Sequence, residues 1–430
     1  LYIIELGTCI TFHEKSKSIN GGTNSRYSSC NHPHLAQKKL IKGERYNSGN
    51  WLFNLEELIA MKQSHQGEKA VAKFTTLKSP DRTNFKVMEL FAGCGGLALG
   101  LENAGLETQL LVEIDKDCVN TLNLNRPNWQ TINDDVTKIN FAEFTNQIDI
   151  LAGGFPCQSF SYAGLGKGLE DTGGTLFFQF ARCLQTIRPK IALAENVRGL
   201  LSHKKGETLA IMLNTFRDLG YYPVYRLLSS QFLDVPQKRE RLIILATRND
   251  LQIKPIFPQE KNYTISLRQA LEDCPESDGM AYNQRKKTVM NLVPPGGNWR
   301  DLPLDVQKDY MKNSWDNGGG RTGYAKRLSW DEPALTITCS PAQTQTERCH
   351  PQETRPLTVR EYARVQSFPD DWQFTGSLSS QYKQIGNAVP VNMGYHLGCC
   401  LIAMLRGEKE PEIPNSRDIQ QLLIPGLRLD

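Results

Sequence analysis

Neither sign of charge dominates this chain. Its 430 residues carry 50 Lys and Arg against 46 Asp and Glu, a net charge of +4. Residues 250–354 hold 13 basic and 14 acidic side chains, so the balance is also regional. A bulk basic field is therefore excluded, and any grip on a polyanion must come from individually placed side chains. No apolar run approaches the roughly 18 residues of a membrane span, so none is expected. The opening Leu1-Tyr2-Ile3-Ile4-Glu5-Leu6 is short and lacks the basic start of a secretion signal. The 11 cysteines are odd in number and irregularly spaced, with no Cys-x-x-Cys pair and no paired Cys/His pattern. A disulfide framework and a metal site are thus not expected, and a reducing cytoplasm fits best. No repeat of fixed period is present. A mean hydropathy of −0.44 with 39 % hydrophobic residues describes an ordinary soluble protein.

What is present is organised unevenly. Residues 1–84 read as an extension: Ser16–Asn50 is rich in Ser, Asn, Gly, Lys and His and has no periodicity. Trp51–Ile59 has apolar residues at helical spacing, so a partly disordered arm with one helix is expected. From Asn84 strand, loop and helix alternate. Phe85–Phe91, Gln109–Ile114, Ile148–Ala152, Ile191–Ala194 and Leu242–Ala246 read as strands, Leu97–Ala104 and Thr175–Thr186 as helical. Such alternation predicts an α/β fold with a doubly wound, mostly parallel sheet over 85–250, whose ligands sit at the carboxyl ends of the strands. The pattern stops near residue 250. The Gly/Pro-rich stretch 251–354 then reads as a smaller, irregular inserted domain, followed by 355–406 and a tail, 407–430.

The first strand ends in Phe91-Ala92-Gly93-Cys94-Gly95-Gly96, a loop of small residues that opens a helix. Such a loop lets a ligand approach the backbone. Its spacing is not Gly-x-Gly-x-x-Gly, which argues against a nicotinamide cofactor. The second strand ends Val112-Glu113-Ile114-Asp115, where a carboxylate can take both hydroxyls of a ribose. The third ends Asp134-Asp135-Val136, where an acid can accept from an adenine amino group. Each acid alone also reads as a solvated strand end. Together, in order, they fit S-adenosylmethionine, a nucleoside cofactor that needs no phosphate-binding loop.

Cys157 leaves a predicted strand on the Pro-fixed turn Gly153-Gly154-Phe155-Pro156-Cys157-Gln158, among small residues that let a substrate reach its thiol. Glu195-Asn196-Val197 follows the strand Ile191–Ala194, so Glu195 is a candidate proton donor if burial raises its pKa; the alternative is a helix-capping acid. In Gln237-Lys238-Arg239-Glu240-Arg241, an extended backbone places Gln237, Arg239 and Arg241 on one face, as donors for a base or phosphates or as a solvated charged edge. A thiolate, an acid and a sulfonium methyl suit addition to an electron-poor ring. A cytosine in a duplex must be flipped out to be reached, and Ser161–Gly174 reads as a lid.

These motifs resemble those of bacterial DNA (cytosine-5)-methyltransferases of the restriction–modification (type II) kind. The match runs from about Lys86 to Leu405. It covers Phe-x-Gly-x-Gly at 91–95, Pro-Cys-Gln at 156–158, Glu-Asn-Val at 195–197, Gln-x-Arg-x-Arg at 237–241, Arg355-Pro356-Leu357-Thr358-Val359-Arg360-Glu361 and Gln384-Ile385-Gly386-Asn387-Ala388-Val389-Pro390. The resemblance implies the S-adenosylmethionine-dependent methyltransferase fold with 251–354 as target-recognition domain. Cys157 would be the nucleophile on cytosine C6 and Glu195 the acid at its N3 edge. Arg241 would contact the flipped base and Arg239 would lie toward the phosphates. Phe91, Gly93, Gly95, Glu113, Ile114, Asp135, Val136, Pro156, Leu176, Asn387 and Val389 would surround the methyl donor, with 355–406 returning to the first domain. Two positions depart from the family pattern. Gly173-Gly174-Thr175-Leu176 stands where Arg-Gly-Thr-Leu is frequent, which puts one phosphate contact in doubt. Ile114 occupies a position where an aromatic often stacks on adenine.

The implied activity is methylation of a cytosine in a short double-stranded DNA sequence, by a monomer paired functionally with a restriction endonuclease it need not touch. An RNA substrate keeps the same chemistry; the long insert favours DNA. A DNA-binding regulator working through the N-terminal arm is a reading of another class, and is compatible with catalysis.

Overall fold

The computed structural model describes residues 27–30, 43–46, 50–54, 74–155, 176–312, 315 and 323–408. The chain divides into two compact units, Leu1–Ala72 and Lys73–Asp430.

In the first unit β1 (Tyr27–Cys30), β2 (Gly43–Tyr46) and β3 (Asn50–Asn54) form an antiparallel sheet with β3 in the centre. This corrects the sequence reading twice. Strands occur within the stretch that has no periodicity, and residues 51–54 are strand where a helix was expected. A short apolar run such as Trp51-Leu52-Phe53 satisfies either period, and aromatic residues favour the half-buried surface of a sheet. Residues 55–59 lie outside the described residues. The break at Ala72 also leaves 74–84 with the second unit, where the backbone is tied down: Ser79 N–H donates to the Asn103 carbonyl at 2.7 Å and Leu77 N–H to Asn392 Oδ1 at 2.8 Å.

The second unit carries a sheet of β4 (Lys86–Leu90), β5 (Glu107–Glu113), β6 (Thr131–Asn133), β7 (Ile150–Gly153), β8 (Ile191–Val197), β9 (Tyr221–Ser229) and β11 (Glu240–Arg248), in the order β6-β5-β4-β7-β8-β11-β9. Pairing is parallel from β6 to β8, and β11 runs antiparallel to both β8 and β9. The order reverses between β4 and β7, and that switch point opens a crevice at the carboxyl ends of the strands. The doubly wound, mostly parallel sheet expected from the alternation is present. Two details differ. The strand read as Ile191–Ala194 continues through Val197, because β11 supplies a partner for every residue of it. The stretch 237–241 is not one strand: β10 (Gln237–Lys238) pairs with β12 (Ala334–Leu335), and the chain bends at Arg239 before β11.

Alternate residues of each strand serve opposite cores. Met88, Leu90, Val112, Leu151, Ala194 and Ile244 face α3 (Leu176–Ile187) and α4 (Glu207–Asp218), where Phe177, Phe180 and Phe216 pack edge to face. Truncating Phe216 to alanine there would cost about 3–5 kcal/mol. On the other side Val87, Ile150, Ile191, Leu193 and Ile243 meet α1 (Gly96–Ala104) and α10 (Val391–Arg406) through Leu97, Leu101, Met393, Leu397 and Leu401. A third core joins Leu99 and Leu111 to α8 (Val359–Val365) and α9 (Leu378–Asn387) through Tyr362, Tyr382 and Ile385. Residues between 282 and 349 close a core of their own around Met290, Trp299, Met311 and Cys349. The helical stretch Leu378–Arg406 has the length and hydropathy of a membrane span, but it is broken at 388–390 and mostly buried against the sheet, as core helices are.

Candidate active site

Three left-handed residues shape the loop after β4: Phe91 (φ 61°), Gly93 (φ 55°) and Gly95 (φ 89°). For a bulky residue such as Phe91 that conformation costs about 1–3 kcal/mol, a strain typical of ligand sites. Glu113, the last residue of β5, holds the loop. Its Oε2 accepts from Gly93 N–H at 2.7 Å and its Oε1 from Asp115 N–H at 2.8 Å. Each carboxylate oxygen keeps a free lone pair, so Glu113 can still accept from two hydroxyls. A side chain added at Gly93 would meet nothing within 4 Å, so the loop borders open space.

The other expected donor-site residues ring this crevice unevenly. Ile114 is 67 % exposed, an apolar surface beside the strand end. Asp135 caps a short turn by accepting from Thr137 N–H at 2.9 Å, whereas Val136 is buried in the core and offers only its backbone. Leu176 begins α3. Asn387 ends α9 at the surface, its Oδ1 accepting from the Cys339 thiol at 2.9 Å, and Val389 is buried nearby in chain. Pro156 and Cys157 lie outside the described residues. Phe155, just before them, packs edge-on against Phe91 with centroids 6.5 Å apart.

Glu195 and Arg241 face each other across β8 and β11. Arg241 Nε is 2.7 Å from Glu195 Oε1, with side chains 11 % and 13 % exposed. At Gly154 a Cβ would come within 2.9 Å of Glu195 Oε2, so the turn leading to Cys157 runs directly over the carboxylate. The adjacent Asn196 is buried, and its Nδ2 donates to the Phe155 carbonyl at 3.0 Å.

Arg239 departs from expectation. It is 2 % exposed and points inward: its guanidinium donates to the carbonyls of Ile337, Gly386 and Ala388. Gln237 is also buried, bonded to Gln366 and to the Val365 carbonyl. Gln237 and Arg239 meet the same residue, Ile337, in the interior, while Arg241 reaches Glu195. The arginine expected to lie toward the phosphates is thus buried and bonded to backbone carbonyls.

Two residues were not singled out from the sequence. Asn196 stands inside a recognised motif but had no role until its bond to Phe155 was seen. Glu89, in the apolar strand Val87–Leu90, is 3 % exposed, and its Oε2 has no partner among the described residues. Burial, then the charges of Glu113 and Glu195, push its pKa well above the ordinary range. The available signal was an acid interrupting a buried strand. By strand alternation Glu89, Glu113, Glu195 and Arg241 share one sheet face at the switch point.

A sheet of this order, with acids on the ends of successive strands and a glycine loop lacking phosphate-binding spacing, defines an S-adenosylmethionine-dependent methyltransferase. A crevice lined by carboxyl groups suits a donor that carries a sulfonium and an ammonium charge. Residues 85–402 match the family model described as C-5 cytosine-specific DNA methylase, and the chain belongs to that family. It is a DNA (cytosine-5)-methyltransferase, as the motif resemblance implied. The chain is 55 % identical to type II methyltransferase M.Eco47II of Escherichia coli over 85 % of its own length and 90 % of that protein's. It is 53 % identical to type II methyltransferase M.Sau96I of Staphylococcus aureus, over 75 % and 76 % of the two chains. Among solved structures, a Spodoptera frugiperda DNMT2 mutant shares the fold, with a TM-score of 0.54 at 17 % identity over 74 % of this chain and all of that one.

Proposed function

We propose that the protein methylates C5 of a cytosine flipped out of one short duplex sequence, through a covalent Cys157–C6 adduct, as the modification enzyme of a type II restriction–modification pair. The observation that carries this reading is the Glu195–Arg241 pair lying under the turn that leads to Cys157, a turn held through Phe155 by Asn196. The names of the relatives above support the type II assignment.

The residues divide the work as follows. The Cys157 thiolate forms a bond to C6, and ring electrons move toward N3 and C5. Glu195 gives a proton to N3 as negative charge develops there and takes it back when the ring is restored, and Arg241 fixes Glu195 while contacting the base. When bound, S-adenosylmethionine would supply an electrophilic methyl group to C5, its S–CH3 bond breaking as the C5–CH3 bond forms and S-adenosylhomocysteine leaving. The C5 proton then leaves to a base, the S–C6 bond breaks, and Cys157 is restored as a thiolate. Gly93, Gly95, Glu113 and Asp135 hold and orient the donor, with Ile114, Val136, Pro156, Leu176, Asn387 and Val389 around it. The target base must leave the stack, which costs a few kcal/mol. Residues 251–354, with their separate core, carry the sequence readout. A restriction endonuclease reading the same sequence is the functional partner without direct contact, the protein acts as a monomer, and its free thiols suit a reducing cytoplasm.

Bisulfite sequencing of DNA from cells expressing the protein tests this directly. One recurrent short duplex sequence with a conversion-resistant cytosine is expected. Unmodified DNA alongside a methylated tRNA would move the substrate to RNA.

A further inference from the structure

The geometry points to Arg239 as a positioning residue for the methyl-donor site: one buried guanidinium fixes Asn387 by gripping the backbone on both sides of it and joining it to the segment that leaves the recognition region. The inference rests on the reading of Asn387 as a donor-facing residue.

Three independent features meet at this joint. Arg239 Nη2 donates to the Gly386 carbonyl at 3.1 Å and to the Ala388 carbonyl at 3.2 Å, so the carbonyls of the residues before and after Asn387 share one nitrogen. Arg239 Nη1 donates at 3.2 Å to the carbonyl of Ile337, two residues after β12. Next, Gly386 lies directly on residues 338–339. A Cβ there would fall 2.8 Å from Cys339 N and closer still to the Thr338 carbonyl, and only glycine permits that approach. Finally, the Cys339 thiol donates to Asn387 Oδ1 at 2.9 Å. With its oxygen engaged, the Asn387 amide is left to present Nδ2, a donor, away from Cys339. Gln237 braces the same joint, its Oε1 accepting from Ile337 N–H at 3.0 Å.

The chemistry explains why an arginine stands here. Leaving backbone carbonyls buried and unmatched is costly, and a planar guanidinium reaches three of them from one point. An ammonium is compact and cannot span the same acceptors. The charge on Arg239 does no electrostatic work at the DNA in this arrangement; its fork sets the path of 386–388.

The test uses the full chain and the variants Arg239→Lys and Gly386→Ala, which disturb the joint from opposite sides. Isothermal titration with S-adenosylmethionine measures donor affinity without turnover. Filter binding of a mixed-sequence duplex, across a salt series, measures DNA affinity. Both variants are expected to bind the donor at least tenfold more weakly, with DNA affinity within about twofold of the parent, an unchanged salt slope, and a rise in donor KM larger than any fall in kcat. Donor affinity within twofold of the parent would overturn the proposal. So would a parallel loss of donor and DNA binding, which is what a folding defect gives. A loss of DNA affinity for Arg239→Lys with donor affinity kept would overturn the proposal too, and return Arg239 to the phosphates. Failure of the parent protein to bind S-adenosylmethionine would instead remove the donor-site reading, and the inference with it.

Discussion

Arg241 Nε stands 2.7 Å from Glu195 Oε1, and neither side chain is more than 13 % exposed. Each charge therefore depends on the other. Removing one partner of a nearly buried pair leaves an uncompensated ion, at about 3–5 kcal/mol.

Glu195→Gln keeps the shape of the side chain and removes its proton chemistry. Methyl transfer in a single turnover is expected to slow by about 10²–10⁴, the usual contribution of a positioned acid or base. A rate within a few-fold of the parent would strip Glu195 of its assigned role. The Arg241→Ala protein should be less stable as well as slow, seen as a lower denaturation midpoint.

Cys157→Ser should abolish transfer while S-adenosylmethionine still binds, because in the proposed scheme the thiolate attacks the base and Glu113 and Asp135 hold the donor. Calorimetry and a tritium-transfer assay on the same preparation separate the two. Full activity would end the covalent scheme.

Asn196→Ala deletes the bond from Nδ2 to the Phe155 carbonyl and leaves that buried acceptor unmatched, at about 1–3 kcal/mol. The turn before Cys157 is then freer. We expect kcat to fall about tenfold with donor affinity retained. Equal losses in both would tie Asn196 to folding only.

Glu89 supplies a pH prediction. Its pKa in the fold is raised above the ordinary 4.5, by burial first and then by Glu113 and Glu195. The folded state thus holds a proton that the unfolded state gives up, and stability falls as pH rises from about 4.5 toward the raised value. Glu89→Gln cannot ionise and escapes that loss. Its stability relative to the parent should grow with pH above 4.5, in thermal melts taken from pH 5 to 8. A difference that does not change with pH would show that Glu89 is not the titrating group.

Legibility in the sequence followed the range of the interactions. The strands and the small residues of the glycine loop could be read from neighbours within a few residues, and Glu113 as a strand-end acid, although the bond by which it holds the loop spans 20 residues. Glu195 could be located but its partner geometry could not, since Arg241 reaches it from 46 residues away on a strand that runs antiparallel. The burial of Arg239 was not legible, because the carbonyls that it reaches lie 98 to 149 residues further along the chain. Asp135 illustrates the opposite case, where a local cap on Thr137 N–H fixes the side chain. In the N-terminal unit, Trp51–Phe53 was ambiguous between two periods until β1 and β2 supplied partners.

The pairing of the first sheet strands with the last described helix has a consequence for synthesis. One face of β4, β7 and β8 is sealed by Met393, Leu397 and Leu401 of α10. A chain emerging from the ribosome therefore holds a bare apolar face through the production of the whole inserted region, until those residues are released. Premature termination within that region would yield a sticky fragment rather than a half-active one, and proteolysis would remove it.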